Sequence, residues 1–262
     1  MKNKVSCLEI LIVFFLFFLF VAASAPPVSS VSPSYEKAND LEKSGKYLEA
    51  QKIYEGILKD PSFSEGQLKE IRDRLETLNL KILFSRLATD ESIFHPVEPG
   101  ESLYKVAKKY KTTVDLIKKS NGLKSDTIYP GMRLKVVTGV FTIQVDKSEN
   151  VLMLYLNGKL IKHYSVATGE NNGTPAGEFE IVNKLENPTW YKAGAVVPPN
   201  SPDNSLGTRW LGFDYPGYGI HGTIEPDSIG HQATSGCIRM LNEEVEELYS
   251  LIPAGTKVTI SD

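Results

Sequence analysis

Hydrophobic residues recur at spacings of three and four between residues 35 and 92, which predicts helices that each have one apolar face. Two such runs are separated by Gly45, and a proline at position 61 closes the second. A third run is longer, and its apolar positions are Leu68, Ile71, Leu75, Leu78 and Ile82. The pattern therefore predicts a helical hairpin followed by a single amphipathic helix.

The pattern changes between residues 93 and 137, where strand-like runs enclose two short helical patterns. The first helix would place four apolar side chains on one face, namely Leu103, Val106, Ala107 and Tyr110. A turn at Pro130-Gly131 precedes the closing run. We predict a small β-α-α-β unit, joined to the rest of the chain by Thr138 and Gly139.

Residues 138–262 alternate apolar and polar positions in short runs, which is the period of a half-buried strand. Asn157-Gly158 lies between two such runs and is typical of a tight β-hairpin. A helical pattern at residues 243–251 follows Asn242, a residue type that caps helix N-termini. The expected fold class is therefore α+β and multidomain: a helical segment, a small β-α-α-β module and a β-rich sandwich or barrel.

The N-terminus has the charge and hydropathy pattern of an export signal. Two lysines precede an apolar run at residues 10–23, and residues 23–25 have the small-x-small form that signal peptidases cut. The run is short for a spanning helix, which needs ~20 residues, yet a proline directly after the cut is unfavourable for cleavage. A signal peptide over residues 1–25 and a membrane anchor over residues 8–25 both remain open, followed by a flexible tether at residues 26–34. In either case we expect export, to the periplasm or cell wall.

Composition and charge narrow the class of protein. The 262 residues are 41% hydrophobic and 23% charged, which is ordinary for soluble domains, and the net charge of −3 argues against a nucleic-acid partner. Residues 93–137 carry 9 basic against 4 acidic side chains, and residues 138–262 carry 8 against 15. Basic surface in the middle segment would suit an anionic polymer, although lysines scattered over a solvated face are the commoner meaning.

Cys237 is the cysteine with candidate chemistry, because Cys7 lies in the export signal. An unpaired thiol near imidazoles in an exported chain is a candidate nucleophile, and we expect a lowered thiol pKa. His221 is the expected base, and His231, six residues before the thiol, is the alternative. An inert buried cysteine is the competing interpretation. Gly236 would let another part of the chain approach the thiol closely.

The sequence around these residues resembles the catalytic domain of the L,D-transpeptidases, often called YkuD-like. His221, Gly222 and Thr223 match the family's His-Gly-Thr block, and residues 234–239 match its block Ser/Thr-His-Gly-Cys-Ile-Arg. The departure is Ser235, where the family most often has His. The resemblance extends over the rest of residues 138–262, through the motifs ATG, TPAGEF and LGTRW.

The resemblance implies roles for the matched residues. Cys237 would be the nucleophile and His221 the base. Gly222, Ser235 and Gly236 are expected to position this pair or to form the oxyanion site. The N–H of Cys237 is expected to contribute to the oxyanion site as well. The residues expected to contact substrate are Tyr218, Thr223 and Arg239.

Two of these assignments have a competing interpretation. Arg239 is expected to pair with a peptide carboxylate, which a guanidinium binds better than an ammonium group, or to form a structural ion pair with Glu243 or Glu244. Trp190 and Trp210 are expected either to line the substrate groove or to belong to the core.

Residues 93–137 resemble a LysM module, which binds N-acetylglucosamine-containing glycans, chiefly peptidoglycan. The matching positions are Val97, Gly100, Leu103, Ala107, Tyr110, Leu116, Asn121, Ile128, Pro130, Gly131, Leu134 and Val136. The sugar contacts that this resemblance implies are Gly100, Glu101, Ser102, Asn121 and Gly122. The hairpin within residues 35–92 resembles one tetratricopeptide-type unit. Because such repeats usually need about three copies, we expect a spacer or a small docking element, with a protein partner left open.

Together the resemblances imply a peptidoglycan L,D-transpeptidase that forms cross-links through a thioester on Cys237 while LysM holds it on the wall. L,D-carboxypeptidase activity, attachment of a lipoprotein to the wall, and a non-catalytic peptidoglycan-binding scaffold are the alternatives. No cofactor or metal is expected, since the histidines near Cys237 lack carboxylates at ligand spacing. The expected partners are glycan strands and stem peptides, with membrane contact only through an uncleaved N-terminal segment.

Overall fold

The computed structural model describes residues 32–192, 194–199 and 201–262. The predicted export signal and residues 26–31 of the predicted tether lie outside the described residues, whereas residues 33 and 34 of that tether already belong to a helix. Within those residues, no helix combines the length and the apolar character needed to cross a bilayer.

The described chain begins with three helices, α1 Pro33–Lys43, α2 Tyr47–Ile57 and α3 Glu65–Leu83. Gly45, with a φ of +79°, makes the turn between the first two. Ser64 and Gln67 form a capping box at the start of α3. The helices enclose one apolar cluster, made of Tyr35, Ala38, Ala50, Tyr54, Ile57, Ile71, Leu75, Leu78 and Ile82.

A β-α-α-β unit follows, in the predicted order: β1 Ser92–Pro96, α4 Leu103–Tyr110, α5 Val114–Asn121 and β2 Arg133–Val137. β1 and β2 pair antiparallel. The side chains of Ser102 and Thr113 cap the two helices by accepting the N–H groups of Lys105 and Leu116. The unit has its own small core, made of Val97, Leu103, Val106, Ala107, Ile117, Leu134 and Val136.

The remaining residues form strands and one late helix, α6 Asn242–Leu251. The strands are β3 Phe141–Asp146, β4 Val151–Leu156, β5 Lys159–Ser165, β6 Thr168–Gly169, β7 Gly177–Glu186, β8 Trp190–Lys192, β9 Ala195–Val197, β10 Arg209–Phe213, β11 Gly219–His221, β12 Gln232–Thr234, β13 Ile238–Arg239 and β14 Lys257–Ser261. One 8-stranded sheet has the order β13-β11-β10-β7-β14-β3-β4-β5. β11 is parallel to β13 and β14 to β3, and the other pairs in this sheet are antiparallel.

The large sheet is curled. In a flat sheet its two edge strands would lie about 34 Å apart, yet Tyr164 of β5 and Ile238 of β13 belong to one hydrophobic core with Leu248 of α6. The predicted β-rich domain is therefore confirmed in its coarse form, as a large curled sheet whose core is shared with α6. Alternating polarity identifies a strand with one buried face, but it does not reveal whether a second sheet or a helix covers that face.

Two local predictions have opposite outcomes. The hairpin at Asn157-Gly158 is confirmed, because Leu156 pairs with Lys159 and the turn residues have φ values of 49° and 77°. The predicted cap at Asn242 is wrong. Leu241 holds the cap position without a side-chain hydrogen bond, and the Asn242 amide instead binds the backbone of two distant segments.

The β-α-α-β unit packs directly on the last domain. Leu116 of α5 belongs to the core of the curled sheet. The Thr113 hydroxyl donates to the Ser250 carbonyl near the end of α6, and Lys119 Nζ donates to Ser250 Oγ over 2.7 Å. Residues 114–121 therefore contribute to two cores at once.

The helical segment is attached in the same way. Asn79 Nδ2 of α3 donates to the Ile161 carbonyl of β5 over 3.1 Å. Lys135 of β2 is fully buried, and its Nζ donates to the carbonyls of Ile82 and Ser85 at the end of α3, each over 2.9 Å. Burial lowers the pKa of Lys135 to about 8.

Candidate active site

The strand pair β11–β13 brings Cys237 and His221 to one edge of the sheet. Ile220 pairs with Ile238 and His221 with Arg239, which places Cys237 opposite Gly219. Because residues two apart on a strand share a face, the thiol lies on the same face of this pair as the His221 ring. The structure therefore brings together the two residues that the sequence predicts as nucleophile and base.

The Cys237 sulfur lies next to two backbone groups at the start of β11, one in the preceding turn and one on its first residue. Its S–H donates to the Gly217 carbonyl over 3.4 Å, and the Gly219 N–H donates to the sulfur. Burial raises the pKa of the Cys237 thiol, although the Gly219 N–H and the charge of Arg239 both favour the thiolate. The expected lowered pKa is therefore wrong for the resting protein, because desolvation of the thiolate outweighs these two groups. The Cys237 side chain is therefore a neutral thiol in the resting protein.

His221 is buried, with 5% of its surface exposed. Its Nδ1 lies 2.6 Å from the Gly222 carbonyl oxygen, and since a carbonyl can only accept, Nδ1 carries the hydrogen. Burial lowers the pKa of His221 to about 4, and the Gly222 carbonyl partly opposes that shift. The Trp210 ring stacks on the imidazole, with 6.0 Å between ring centroids. The imidazole is thus held neutral with Nε2 as a proton acceptor.

Gly236 leaves room for the Tyr218 ring to pack against its Cα. A Cβ there would lie 2.7 Å from Tyr218 Cε1 and 3.1 Å from the Gly173 oxygen, and its φ of +133° disfavours any side chain. Its N–H, however, donates to Thr234 Oγ1 over 3.1 Å. Of the two N–H groups expected to bind an oxyanion, the one on Gly236 is therefore occupied, which leaves the N–H of Cys237.

Arg239 is 8% exposed, and its Nη1 donates to Glu225 Oε2 over 2.6 Å and to Ser228 Oγ over 3.0 Å. The structural ion pair expected with Glu243 or Glu244 is corrected to one with Glu225. In the described part of the chain, the buried Arg239 Nε has no hydrogen-bond partner. The buried Nε–H is therefore an unused donor, and the guanidinium charge lowers the pKa of both Cys237 and His221.

The other predicted residues differ in how accessible they are. Thr223 is 4% exposed and its hydroxyl accepts the Glu225 N–H over 2.8 Å, so its side chain holds a loop and is not presented to substrate. Tyr218 packs against Gly236 and lies 4.9 Å from Tyr215 between ring centroids. Ser235 is exposed beside the thiol.

His231, the alternative base, is exposed, and its backbone makes hydrogen bonds to Thr168 and Ser228. Sequence reasoning missed what surrounds His221. Trp210 is its cross-strand partner, and Asn242 binds the backbone beyond Gly222. The pairing of β10 with β11 would have indicated Trp210, whereas nothing in the local sequence indicates the contact of Asn242.

The predicted sugar-binding residues fall into two groups. Gly100, Ser102 and Gly122 are exposed in loops. Asn121 is buried, and its amide donates both hydrogens, to the carbonyls of Ile117 and Lys135, while its oxygen accepts the Lys135 N–H.

Glu101 is also engaged within the module. Its carboxylate binds His95 Nε2 over 2.7 Å and the Glu98 N–H over 2.9 Å. Asn121 and Glu101 thus hold the module together, which leaves the exposed loop residues as the accessible part of the predicted set.

Comparison with known proteins found a family match for two segments of the chain, the β-α-α-β unit and the last domain. Residues 141–260 match the family of the L,D-transpeptidase catalytic domain (YkuD), and residues 95–137 match the LysM domain. The putative L,D-transpeptidase YqjB of Bacillus subtilis is 47% identical over 124 residues, which are 45% of this chain and 69% of the relative.

Two further relatives match over more of their length. The putative L,D-transpeptidase YkuD of Bacillus licheniformis is 34% identical over 178 residues, 64% of this chain and 99% of the relative. The B. subtilis protein of the same name is 32% identical over 175 residues, 64% of this chain and 98% of the relative. The chain therefore belongs to the L,D-transpeptidase family, a family of acyltransferases, and carries a LysM domain, so that both of its matched domains imply binding to peptidoglycan.

Proposed function

We propose that this protein cross-links peptidoglycan stem peptides through a thioester on Cys237, with His221 as the proton acceptor. The observation that supports this most directly is the state of His221. Its Nδ1–H is engaged by the Gly222 carbonyl, so Nε2 is the acceptor on the face that carries the thiol. A neutral thiol beside a neutral acceptor is an arrangement suited to nucleophilic catalysis.

The first half-reaction would acylate the thiol. Cys237 Sγ attacks the carbonyl carbon that joins the diamino acid of a stem tetrapeptide to its terminal D-residue, and His221 Nε2 takes the thiol proton. Because burial disfavours a free thiolate, proton transfer should accompany the attack. The tetrahedral intermediate then expels the D-residue, whose amine receives the proton from His221, and the thioester remains.

The negative charge on the oxygen of the tetrahedral intermediate needs a hydrogen-bond donor that is already in place. The Cys237 N–H is the candidate, since Thr234 occupies the N–H of Gly236. Loss of one such donor typically costs ~3 kcal/mol of transition-state stabilisation. Arg239 is the second candidate for substrate contact, because its charge acts at both Cys237 and His221. We assign its guanidinium to a carboxylate of the donor peptide.

The second half-reaction decides between related activities. An amine of a neighbouring stem attacks the thioester carbonyl and loses a proton to His221. The C–S bond then breaks, His221 returns that proton to Sγ, and the new amide bond is the cross-link. Water in place of the amine gives an L,D-carboxypeptidase, and a protein lysine gives attachment of a lipoprotein. Analysis of muropeptide products with and without an amine acceptor separates these outcomes.

The domains proposed around this site are 35–92 helical, 93–137 LysM and 138–262 catalytic, after an export signal over 1–25 and a tether over 26–34. LysM would raise the local concentration of substrate by holding the enzyme on the wall. The tetratricopeptide-like helices would be a spacer or docking element, and their contacts with β5 support a rigid spacer.

The proposed glycan contacts can be tested at the accessible loops. Deletion of residues 93–137 would remove Leu116 from the catalytic core, so point changes are the better test. Gly100 and Gly122 have positive φ, and a Cβ at either position would meet no other atom within 4 Å; asparagine tolerates that backbone. Gly100→Asn and Gly122→Asn should weaken retention on purified sacculi, and unchanged retention would argue against contact at these loops.

The proposal as a whole is tested by intact-mass analysis of the purified protein after incubation with a disaccharide-tetrapeptide. Wild type should show a covalent adduct or form a cross-linked dimer product, and Cys237→Ala should do neither. Absence of adduct and product from wild type, with binding to sacculi intact, would favour the non-catalytic scaffold instead.

A further inference from the structure

The side chain of Asn242 makes three hydrogen bonds to two segments of backbone next to His221. Its Oδ1 accepts the N–H groups of Thr208 and Thr223, each over 3.1 Å, and its Nδ2 donates to the Thr223 carbonyl over 2.7 Å. We propose that Asn242 is a positioning residue of the active site, which sets the tautomer of His221 by fixing the peptide between Gly222 and Thr223. The inference rests on the proposed function in that it explains how His221 becomes a base.

The argument depends on the planarity of one peptide group. The Thr223 N–H and the Gly222 carbonyl belong to the same peptide, and in a trans peptide they point in opposite directions. Asn242 Oδ1 holds the N–H on one side. The carbonyl must then point to the other side, where its oxygen lies 2.6 Å from His221 Nδ1. Rotation of this peptide would remove both hydrogen bonds together.

The same contact should also make the Gly222 carbonyl a better acceptor. Hydrogen bonds in a chain polarise one another, and here the chain runs from Asn242 through the peptide to the imidazole. A stronger acceptor at Nδ1 favours the tautomer with a free Nε2 lone pair. Asn242 thus acts on the proton acceptor without touching the thiol or a substrate.

The backbone around Asn242 is shaped to admit its amide. A Cβ on Gly222 would lie 2.1 Å from Asn242 Oδ1, and a Cβ on Gly207 would lie 2.2 Å from it. Gly207 also has a φ of +62°, which favours glycine. Two glycines from different loops therefore leave room for one amide group, which explains why the residue that begins α6 makes a tertiary contact and not a helix cap.

The test compares Asn242→Ala with Asn242→Asp in the full chain. Alanine removes all three hydrogen bonds. Aspartate retains an oxygen that can accept from Thr208 and Thr223 but loses the donor to the Thr223 carbonyl. Asn204→Ala is the matched control, because the buried Asn204 also makes three hydrogen bonds to loop backbone, at Pro188, Pro198 and Leu206.

The first readout is the ¹⁵N NMR spectrum of labelled histidine, which distinguishes Nδ1–H from Nε2–H and is assigned with His221→Gln. We expect Nδ1–H in wild type, in Asn242→Asp and in Asn204→Ala, and a large Nε2–H population in Asn242→Ala. The second readout is the rate of Cys237 acylation by a carbapenem. We expect a fall of roughly 100-fold in Asn242→Ala, as for a misplaced catalytic group, and a rate within about tenfold of wild type in Asn242→Asp.

Folded Asn242→Ala with wild-type tautomer and acylation rate would overturn the inference, and so would an equal tautomer change in Asn204→Ala. If the alanine variant does not fold, Asn242→Asp decides, because a shift of its His221 to Nε2–H contradicts the proposed role of Oδ1. The NMR comparison needs no turnover. Absence of wild-type acylation would therefore count against the proposed function, while the tautomers would still decide the role of Asn242.

Discussion

Burial of His221 should make the folded protein less stable as the pH falls from 6.5 to 4. The imidazole pKa is about 4 in the folded protein, against 6.5 for the free side chain. Between these values the unfolded chain binds a proton that the folded protein does not bind, so acid favours unfolding. A gap of about 2.5 pH units at ~1.4 kcal/mol per unit corresponds to roughly 3 kcal/mol.

Urea unfolding at a series of pH values between 4 and 7.5 measures this contribution. Tryptophan fluorescence is the natural probe, since Trp210 stacks on the His221 ring. Wild type should lose about 3 kcal/mol more of its free energy of unfolding between pH 7 and pH 4 than His221→Gln does. Subtraction of the two curves removes the contribution of carboxylates that titrate in the same range.

His231→Gln is the matched control, because the His231 ring is exposed. It should follow the wild-type curve at every pH. Parallel curves for wild type and His221→Gln would refute the reasoning, since they would mean that the folded protein binds a proton at position 221 as readily as the unfolded chain does.

Three further substitutions test contacts around the site and between the domains. Gly236→Ala should lower the free energy of unfolding by about 1–3 kcal/mol and slow carbapenem acylation. The added Cβ would collide with the Tyr218 ring, and the φ of residue 236 disfavours any side chain. Wild-type values in both assays would contradict this. Arg239→Lys should slow acylation about tenfold, because a lysine point charge replaces the fixed guanidinium fork, and should lower the free energy of unfolding by no more than about 2 kcal/mol. The reverse pattern would make the ion pair with Glu225 purely structural. Thr113→Val should lower the free energy of unfolding by about 1–2 kcal/mol and speed hydrogen exchange where α5 meets α6. Thr113→Ser should keep the hydrogen bond to the Ser250 carbonyl, and equal exchange rates in the two variants would argue against that bond.

The local sequence was sufficient to predict the main helices and strands and to single out Cys237 and His221 as candidates for the reactive pair. The helices, the β-α-α-β order and the hairpin at Asn157-Gly158 follow from periodicities and turn residues that act over a few positions. Cys237 and His221 were recognisable because their residue types and their short motifs have chemical meaning by themselves. Cys237 and His221 lie on one face of the β11–β13 pair, which agrees with that expectation.

Tertiary structure decided how these groups are tuned. The thiol pKa rises where the sequence suggested a fall, because its direction depends on how much water the fold removes from Cys237. Arg239 pairs with Glu225, fourteen residues away, and not with the glutamates of the next helix.

The same is true of the fold around the site. Asn242 has the local pattern of a helix cap, yet its amide binds Thr208 and Thr223, which are distant in sequence. Alternating strands indicated one buried face, and only the shared core of Tyr164, Ile238 and Leu248 shows that the sheet curls around α6. Residue type and spacing indicated which chemical groups this chain carries. Desolvation and long-range hydrogen bonds determined the protonation state and the position of those groups, because both depend on neighbours that only folding brings together.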